Sequence, residues 1–282
     1  MTQLTKYPLL AYTDYENIGH ILPVFKKFIS ENKELLYCGV NHTFDPENPL
    51  FKQLKQELLN FHPNLILLEG GTKINPNHPK RINYFDKIKT QSYDDLIVSN
   101  GEFGFALKFA LENNIEVFCP EPEFIQQINF LLEKYSRNEI FVNQVLKMAV
   151  QFYTMADGTE IKDYLVEEIE WQEEELKKET TWLDFIFTWE NFLNLFEFQF
   201  NKQFLDSNSD FINEINDPIP WSSKIYKWTI NNQITQDECK FKDNFILNIV
   251  QQKSTFYNKI FVVYGGSHYY AQAKSLKLIY DI

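Results

Sequence analysis

The sequence predicts an α/β protein with a mostly parallel central sheet flanked by helices and a helical insertion between its two sheet-forming halves. Three observations carry that expectation. Four short, continuous apolar runs, Leu35–Val40, Asn64–Leu68, Ile115–Cys119 and Ile260–Tyr264, read as strands buried on both faces. Segments with apolar residues at helical spacing lie between or beside them. From Phe124 to about Phe204 the pattern is helical throughout.

The chain has 282 residues, 44% of them hydrophobic, enough for one α/β domain with a helical addition. The expected division is an N-terminal half of the core over 1–134, the insertion over 135–235, and a strand and helix completing the core over 236–282. A net charge of −12 argues against nucleic-acid binding and against docking on anionic membrane, and ordinary solubility accounts for it. Three cysteines without C-x-x-C spacing point to neither a zinc cluster nor a disulfide framework, and Cys38 and Cys119 sit inside apolar runs as core residues. The first residues lack a signal layout. The most apolar segment, Trp182–Phe200, carries Asp184, Glu190 and Glu197 and is no membrane span. A cytoplasmic protein is expected.

In chain order, Leu9–Thr13 suggests a short strand, and Ile18–Ser30 has helical spacing blurred by Pro23. After the strand Leu35–Val40, Asn48-Pro49 opens a helix whose stripe is Leu50, Leu54, Leu58 and Phe61, ended by Pro63. With Asn64–Leu68 this reads as a right-handed βαβ unit with a parallel pair. Thr72–Ser99 is polar and locally basic, a surface loop or lid with a short helix near Tyr84–Ile88. A helix starts at Gly101-Glu102, and the strand Ile115–Cys119 ends in Pro120-Glu121-Pro122. Trp182–Phe200 forms an aromatic helical stripe suited to core or homodimer packing. Leu205–Lys242 reads as loop-rich, with Pro218 and Pro220 flanking a turn; Phe241–Tyr257 and Tyr270–Tyr280 read as helices.

The chemistry sits at the strand ends. Gly39-Val40-Asn41-His42 and Gly265-Gly266-Ser267-His268 repeat one phrase, G-x-x-H, each directly after an apolar run. A lone histidine there is usually a satisfied structural residue, but two of the five histidines share this phrase. Glu69 ends the third strand, before Gly70-Gly71, and Glu121 ends the fourth. In open α/β sheets ligands bind outside the carboxyl ends of the strands. His42, Glu69, Glu121 and His268 should therefore emerge on one edge, with Glu102 starting a helix beside them. An acid in a first helical turn also serves the helix dipole. Two imidazoles with carboxylates are a ligand set for catalytic zinc, manganese or cobalt, with His42, Glu69 and His268 as the ligands. Without metal, the same groups make a histidine base oriented by a glutamate. No nucleophile elbow, Walker loop, G-x-G-x-x-G or H-E-x-x-H occurs.

Five pieces in order resemble one superfamily: Gly39–His42, Pro63–Gly70, Gly101–Phe105, Val117–Pro122 and Val262–His268. They are similar to the superfamily that includes TraB/GumN proteins, the TIKI proteases and the erythromycin-esterase-like/ChaN group, over roughly 35–122 and 242–270. The resemblance implies an α/β core with a site of two G-x-x-H histidines and glutamates. TIKI members are metal-dependent proteases, esterase members open a macrolactone, and ChaN-type members bind haem. Hydrolysis of an ester or amide in a small molecule or peptide is the leading expectation, with His42, Glu69, Glu102, Glu121 and His268 as site residues. The alternative is a non-catalytic protein that binds a haem-like ligand in the same pocket. One departure stands out: where the family shows an arginine before an acid or amide, this chain has Lys242-Asp243, and lysine lacks the bidentate fork.

Overall fold

The structure is a computed structural model that describes residues 7–11, 14, 21–76, 78, 81–155, 160–218 and 227–280. The chain divides into two compact units, Met1–Pro122 with Lys242–Ile282, and Glu123–Phe241. The sequence pattern suggests boundaries at 134/135 and 235/236. Among the described residues, no helix is long and apolar enough to cross a membrane.

The first unit is built on five strands: β1 (Val24–Ser30), β2 (Lys33–Val40), β3 (Leu65–Leu68), β4 (Glu116–Phe118) and β5 (Lys259–Gly265). Their order in the sheet is β1-β2-β5-β3-β4. β2, β5, β3 and β4 run parallel, and β1 pairs antiparallel with β2. The mixed, mostly parallel sheet agrees with expectation. The neighbour relation does not: β2 and β3 are not an adjacent pair, because β5 lies between them. β5 is buried from Ile260 to Gly265, which suits a central strand covered on both faces.

Side chains alternate between those faces. Leu36, Cys38, Val40, Ile66, Leu68, Phe261 and Val263 meet residues of α1 (Pro49–Phe61) and α3 (Tyr93–Glu112), including Leu54, Leu58 and Ala106. Leu35, Tyr37, Leu67, Val262 and Tyr264 meet Ile246, Leu247 and Val250 of α9 (Ile230–Lys253), and Leu276 of α10 (Gly266–Ile279). Each such side chain contributes roughly 1.5–3 kcal/mol by removal from water, as an upper bound.

Local signals explain most of the elements. Asn48 caps α1 by accepting from the Leu50 N–H, and Pro49 sits in the first turn. His62 ends the helix in the left-handed region, followed by Pro63. The helix expected over Ile18–Ser30 is not formed: Val24–Ser30 is an edge strand, turning at Glu31-Asn32 so that Ser30 faces Lys33. Tertiary pairing with β2 overrides the helical spacing, and Lys26 and Lys27 suit a solvent-facing edge. Ile18–His20 lie outside the described residues, as do Tyr12 and Thr13 of the suggested first strand. Leu9–Ala11 is not a strand; Leu10 donates to the Ala271 carbonyl. The expected loop Thr72–Ser99 holds α2 (Arg81–Thr90) and the start of α3, which begins at a Ser92/Asp95 capping box. Lys80 of that stretch is outside the described residues.

The second unit is helical: α4 (Phe124–Leu132), α5 (Arg137–Met155), α6 (Ile161–Leu176), α7 (Trp189–Phe200), α8 (Ser209–Asn216) and the first part of α9. The aromatic stripe is helical only from Trp189, where Thr188 caps α7; Trp182 ends a short 3₁₀ turn. Trp182, Phe185, Phe187, Phe192, Phe196 and Phe204 pack with one another inside this unit. The segment expected to be loop-rich, Leu205–Lys242, instead carries α8 and α9; Pro220 lies outside the described residues. Its polar composition hides a buried network. Asn143 donates to Thr235 Oγ1 at 2.8 Å, Asn231 to the Ile215 carbonyl at 2.9 Å, and Asn232 to the Glu214 carbonyl at 2.6 Å. Lys147 pairs with buried Glu238 at 2.5 Å. Buried polar side chains of this kind must all be paired. Asn231→Ala removes the donor to the Ile215 carbonyl and to Asn216 Oδ1 and is expected to cost about 1–3 kcal/mol. Urea unfolding, with exposed Asn213→Ala as the control, measures it.

Candidate functional site

Parallel pairing sets the ends of β2, β5, β3 and β4 on one edge of the sheet: Val40 faces Gly265, Leu68 faces Val263, and Leu67 faces Phe118. His42, Glu69, Glu121 and His268 follow those ends. Since β5 lies between β2 and β3, Gly265 sits beneath both His42 and Glu69. A Cβ there would lie 3.0 Å from His42 Nε2 and 3.4 Å from Glu69 Oε2. Glycine leaves room for the two groups to approach each other. Glu102 comes from α3, which is broken at Gly101 (φ 55°, ψ −140°). A Cβ at Gly101 would meet the Thr43 carbonyl at 2.9 Å, so the kink is reserved for glycine. It makes Glu102 the first residue of a new helical segment beside the loop that carries His42. The sequence expectation of a helix beginning at Gly101-Glu102 describes this second segment; the first begins at Tyr93.

The side chains form a row in which acids and imidazoles alternate. Glu102 is hydrogen-bonded to His42 Nδ1. His42 Nε2 stands 3.9 Å from Glu69 Oε2, and His268 Nε2 stands 3.6 Å from Glu69 Oε1. Asp243 Oδ1 lies 2.7 Å from His268 Nδ1 and accepts a second bond, also 2.7 Å, from the Gln272 amide. The Gly265 N–H donates to Glu69 Oε2 at 2.6 Å. Each imidazole thus has Nδ1 against an outer carboxylate and turns Nε2 toward the shared Glu69. The two ends differ in access: the His42 side chain is 53% exposed and that of His268 14%.

Electrostatics follow from this geometry. The hydrogen bond to Glu102 raises the His42 pKa; burial opposes it, and the Glu69 charge adds to the rise. Burial alone would lower His268, but Asp243 and Glu69 together push it up to about 10. Burial alone would raise Glu69, but His268, Lys242 and His42 hold its carboxyl far below the usual range.

Glu121 stands beside the row. The Asn75 side chain closes on both backbone groups of Cys119, accepting from its N–H at 2.7 Å and donating to its carbonyl at 3.0 Å. That clamp, with Pro120 and Pro122, fixes Glu121, whose Oε1 pairs with Lys242 Nζ at 3.0 Å. Glu121 Oε2 accepts from the Cys119 thiol at 3.7 Å; burial and this carboxylate push the thiol up to about 12 and keep it unreactive. The structure therefore joins His42, Glu69, Glu102 and His268 in one row and places Glu121 on Lys242.

Sequence reading missed Asp243, Gln272 and Asn75. Lys242-Asp243 was visible as a motif position, but nothing in one sequence says which face of a long helix meets His268. Tyr264, next to Gly265, is fully buried with its hydroxyl unpaired among the described residues and its ring edge-on to His268 at 5.6 Å.

Among the described residues, no group of three or more His, Cys, Asp and Glu side chains stands ready to hold a metal ion. The donor chemistry still suits one: two Nε2 atoms and a carboxylate, each imidazole backed by an acid, is how metal-ligating histidines are oriented.

The linkage of His268 has a definite sign. Its pKa rises on folding from 6.5 to about 10, so its stabilisation is complete below pH 6.5 and lost as pH climbs toward 10. Glu69 acts in the opposite sense, its contribution being present above pH 4.5 and lost in strong acid. In chelator-treated protein, the gap in melting temperature between wild type and His268→Gln is expected to be widest below pH 6.5 and to close toward pH 10.

No family model, curated protein or solved structure matches the chain.

Proposed function

We propose that this chain is a hydrolase that cleaves an ester or amide bond in a small molecule or peptide by activating water between His42 and Glu69. The observation that carries the reading is the exposed His42 imidazole, tied at Nδ1 to Glu102 and facing Glu69 across 3.9 Å at Nε2. One water bridges such a gap at ordinary hydrogen-bond distances. Neutral His42 takes a proton from that water at Nε2 while Glu102 holds the Nδ1 proton and steadies the resulting imidazolium. The water oxygen adds to the carbonyl carbon, and His42 returns its proton to the leaving oxygen or nitrogen as the tetrahedral adduct collapses. His268, held charged by Asp243, keeps Glu69 ionised throughout. The five-piece motif resemblance to the TraB/GumN–TIKI–erythromycin-esterase-like superfamily supports the same reading. In it, the helical unit is an insertion between the two sheet-forming halves, and three free cysteines suit a cytoplasmic protein.

A second reading shares the site. His42, Glu69 and His268 would hold a divalent manganese, cobalt or zinc ion, a reading supported by the acid-backed imidazoles turned toward one carboxylate. Such an ion would supply a Lewis acid and would lower the pKa of a bound water.

His42→Ala is expected to keep the fold and lower kcat by about 10²–10⁴-fold. In the metal-free protein, kcat/KM should rise with pH through a pKa above 6.5, because the neutral imidazole is the base. A panel of ester and anilide substrates, run with and without chelator, measures both. Chelator-sensitive turnover with metal in the purified protein selects the second reading. Absence of turnover together with a Soret shift on adding haemin would move the assignment to ligand binding.

A further inference from the structure

Adding water to a carbonyl places a new negative charge on its oxygen. In the proposed reaction that charge would form near the gap between His42 and Glu69, where the Glu69 carboxylate raises its cost. Within the row, His42 carries the moving proton, and the His268 charge is already committed between Asp243 and Glu69. Lys242 lies at its margin. Its ammonium is 3.0 Å from Glu121 Oε1, with the lysine side chain 25% exposed and the glutamate 15%.

This pair is placed from two sides. Asn75 clamps the Cys119 backbone, and Pro120 and Pro122 restrict Glu121 between them. On α9, Lys242 immediately precedes Asp243, the acid that holds His268. The same helical turn therefore brings an acid to one imidazole and a cation to the strand-end edge. The charge reaches the row, since Lys242 is among the groups that depress Glu69.

We propose that Lys242, positioned by Glu121, faces the oxyanion formed on the scissile carbonyl and afterwards the carboxylate product. This rests on the hydrolase reading and extends it to the class of group the site must hold, a carbonyl oxygen that becomes anionic. The water oxygen forms a bond to carbon, the carbonyl π pair moves to oxygen opposite Lys242, and collapse expels the leaving group protonated by His42. Glu121 is a positioning residue, and Asn75 positions it in turn.

The test uses the full chain, p-nitrophenyl acetate as substrate and acetate as product inhibitor. Lys242→Met should lower kcat by about 10²–10³-fold with KM little changed, and should weaken inhibition by acetate. Lys242→Ala should regain turnover when methylammonium is added, a response that a purely structural lysine does not give. Asn75→Ala should lower kcat without removing the cation, and decides the matter should either lysine variant fail to fold. Unchanged kcat in Lys242→Met, beside an inactive His42→Ala, overturns this role and leaves the hydrolase standing. A change in KM alone also overturns it, by making Lys242 a substrate anchor. No turnover by wild type and no acetate binding overturns both readings.

Discussion

The Glu69 carboxylate is the constraint on which the rest of this structure depends. An ionised acid taken out of water is tolerated only when paired and hydrogen-bonded. Glu69 meets that demand with imidazoles near both oxygens and with the Gly265 N–H. Each partner needs support of its own. His268 is itself largely covered, and Asp243 keeps it charged. Asp243 is buried in turn and takes a second bond from Gln272. His42 is held by Glu102, which α3 delivers only because it breaks at Gly101. One largely covered charge thus accounts for three outer residues, a kinked helix and a glycine at a strand end.

The sheet order serves the same end. A strand carrying the second G-x-x-H phrase could have joined the sheet at its margin. Inserted between β2 and β3, it places His268 between the elements that supply His42 and Glu69, and puts a glycine beneath both. Removing that side chain from the middle of the cluster matters as much as the residues that line it, because a Cβ at position 265 would press on His42 and Glu69 together.

Much of this was legible in the sequence. Parallel strands read as continuous apolar runs because both faces are covered, and a polar residue directly after such a run has a known place on the sheet edge. That reasoning reached His42, Glu69, Glu121 and His268, and the helical segment that starts at Gly101-Glu102, but not the segment that precedes it from Tyr93. Other features were not local. Which strand is central depends on pairing between segments far apart in the chain, since β5 joins β2 and β3 from about 190 residues beyond the latter. Asp243 lies within a helix of 24 residues whose rotation is set by packing on β5, so its partner could not be inferred from spacing. β1 follows helical spacing yet is a strand because β2 offers it an edge. The polar run in α8 and α9 read as loop because composition shows polarity and conceals mutual satisfaction.

The most direct test of the central row is a pH titration of the histidine ring nitrogens by two-dimensional ¹H–¹⁵N NMR, on chelator-treated protein with His268→Gln for assignment. His268 is expected to keep both ring protons across pH 6–9 and to release one only near pH 10, while His42 releases one above its ordinary 6.5 and keeps its Nδ1 proton toward Glu102. A His268 that titrates near its ordinary 6.5, or a His42 with its remaining proton on Nε2, would contradict it.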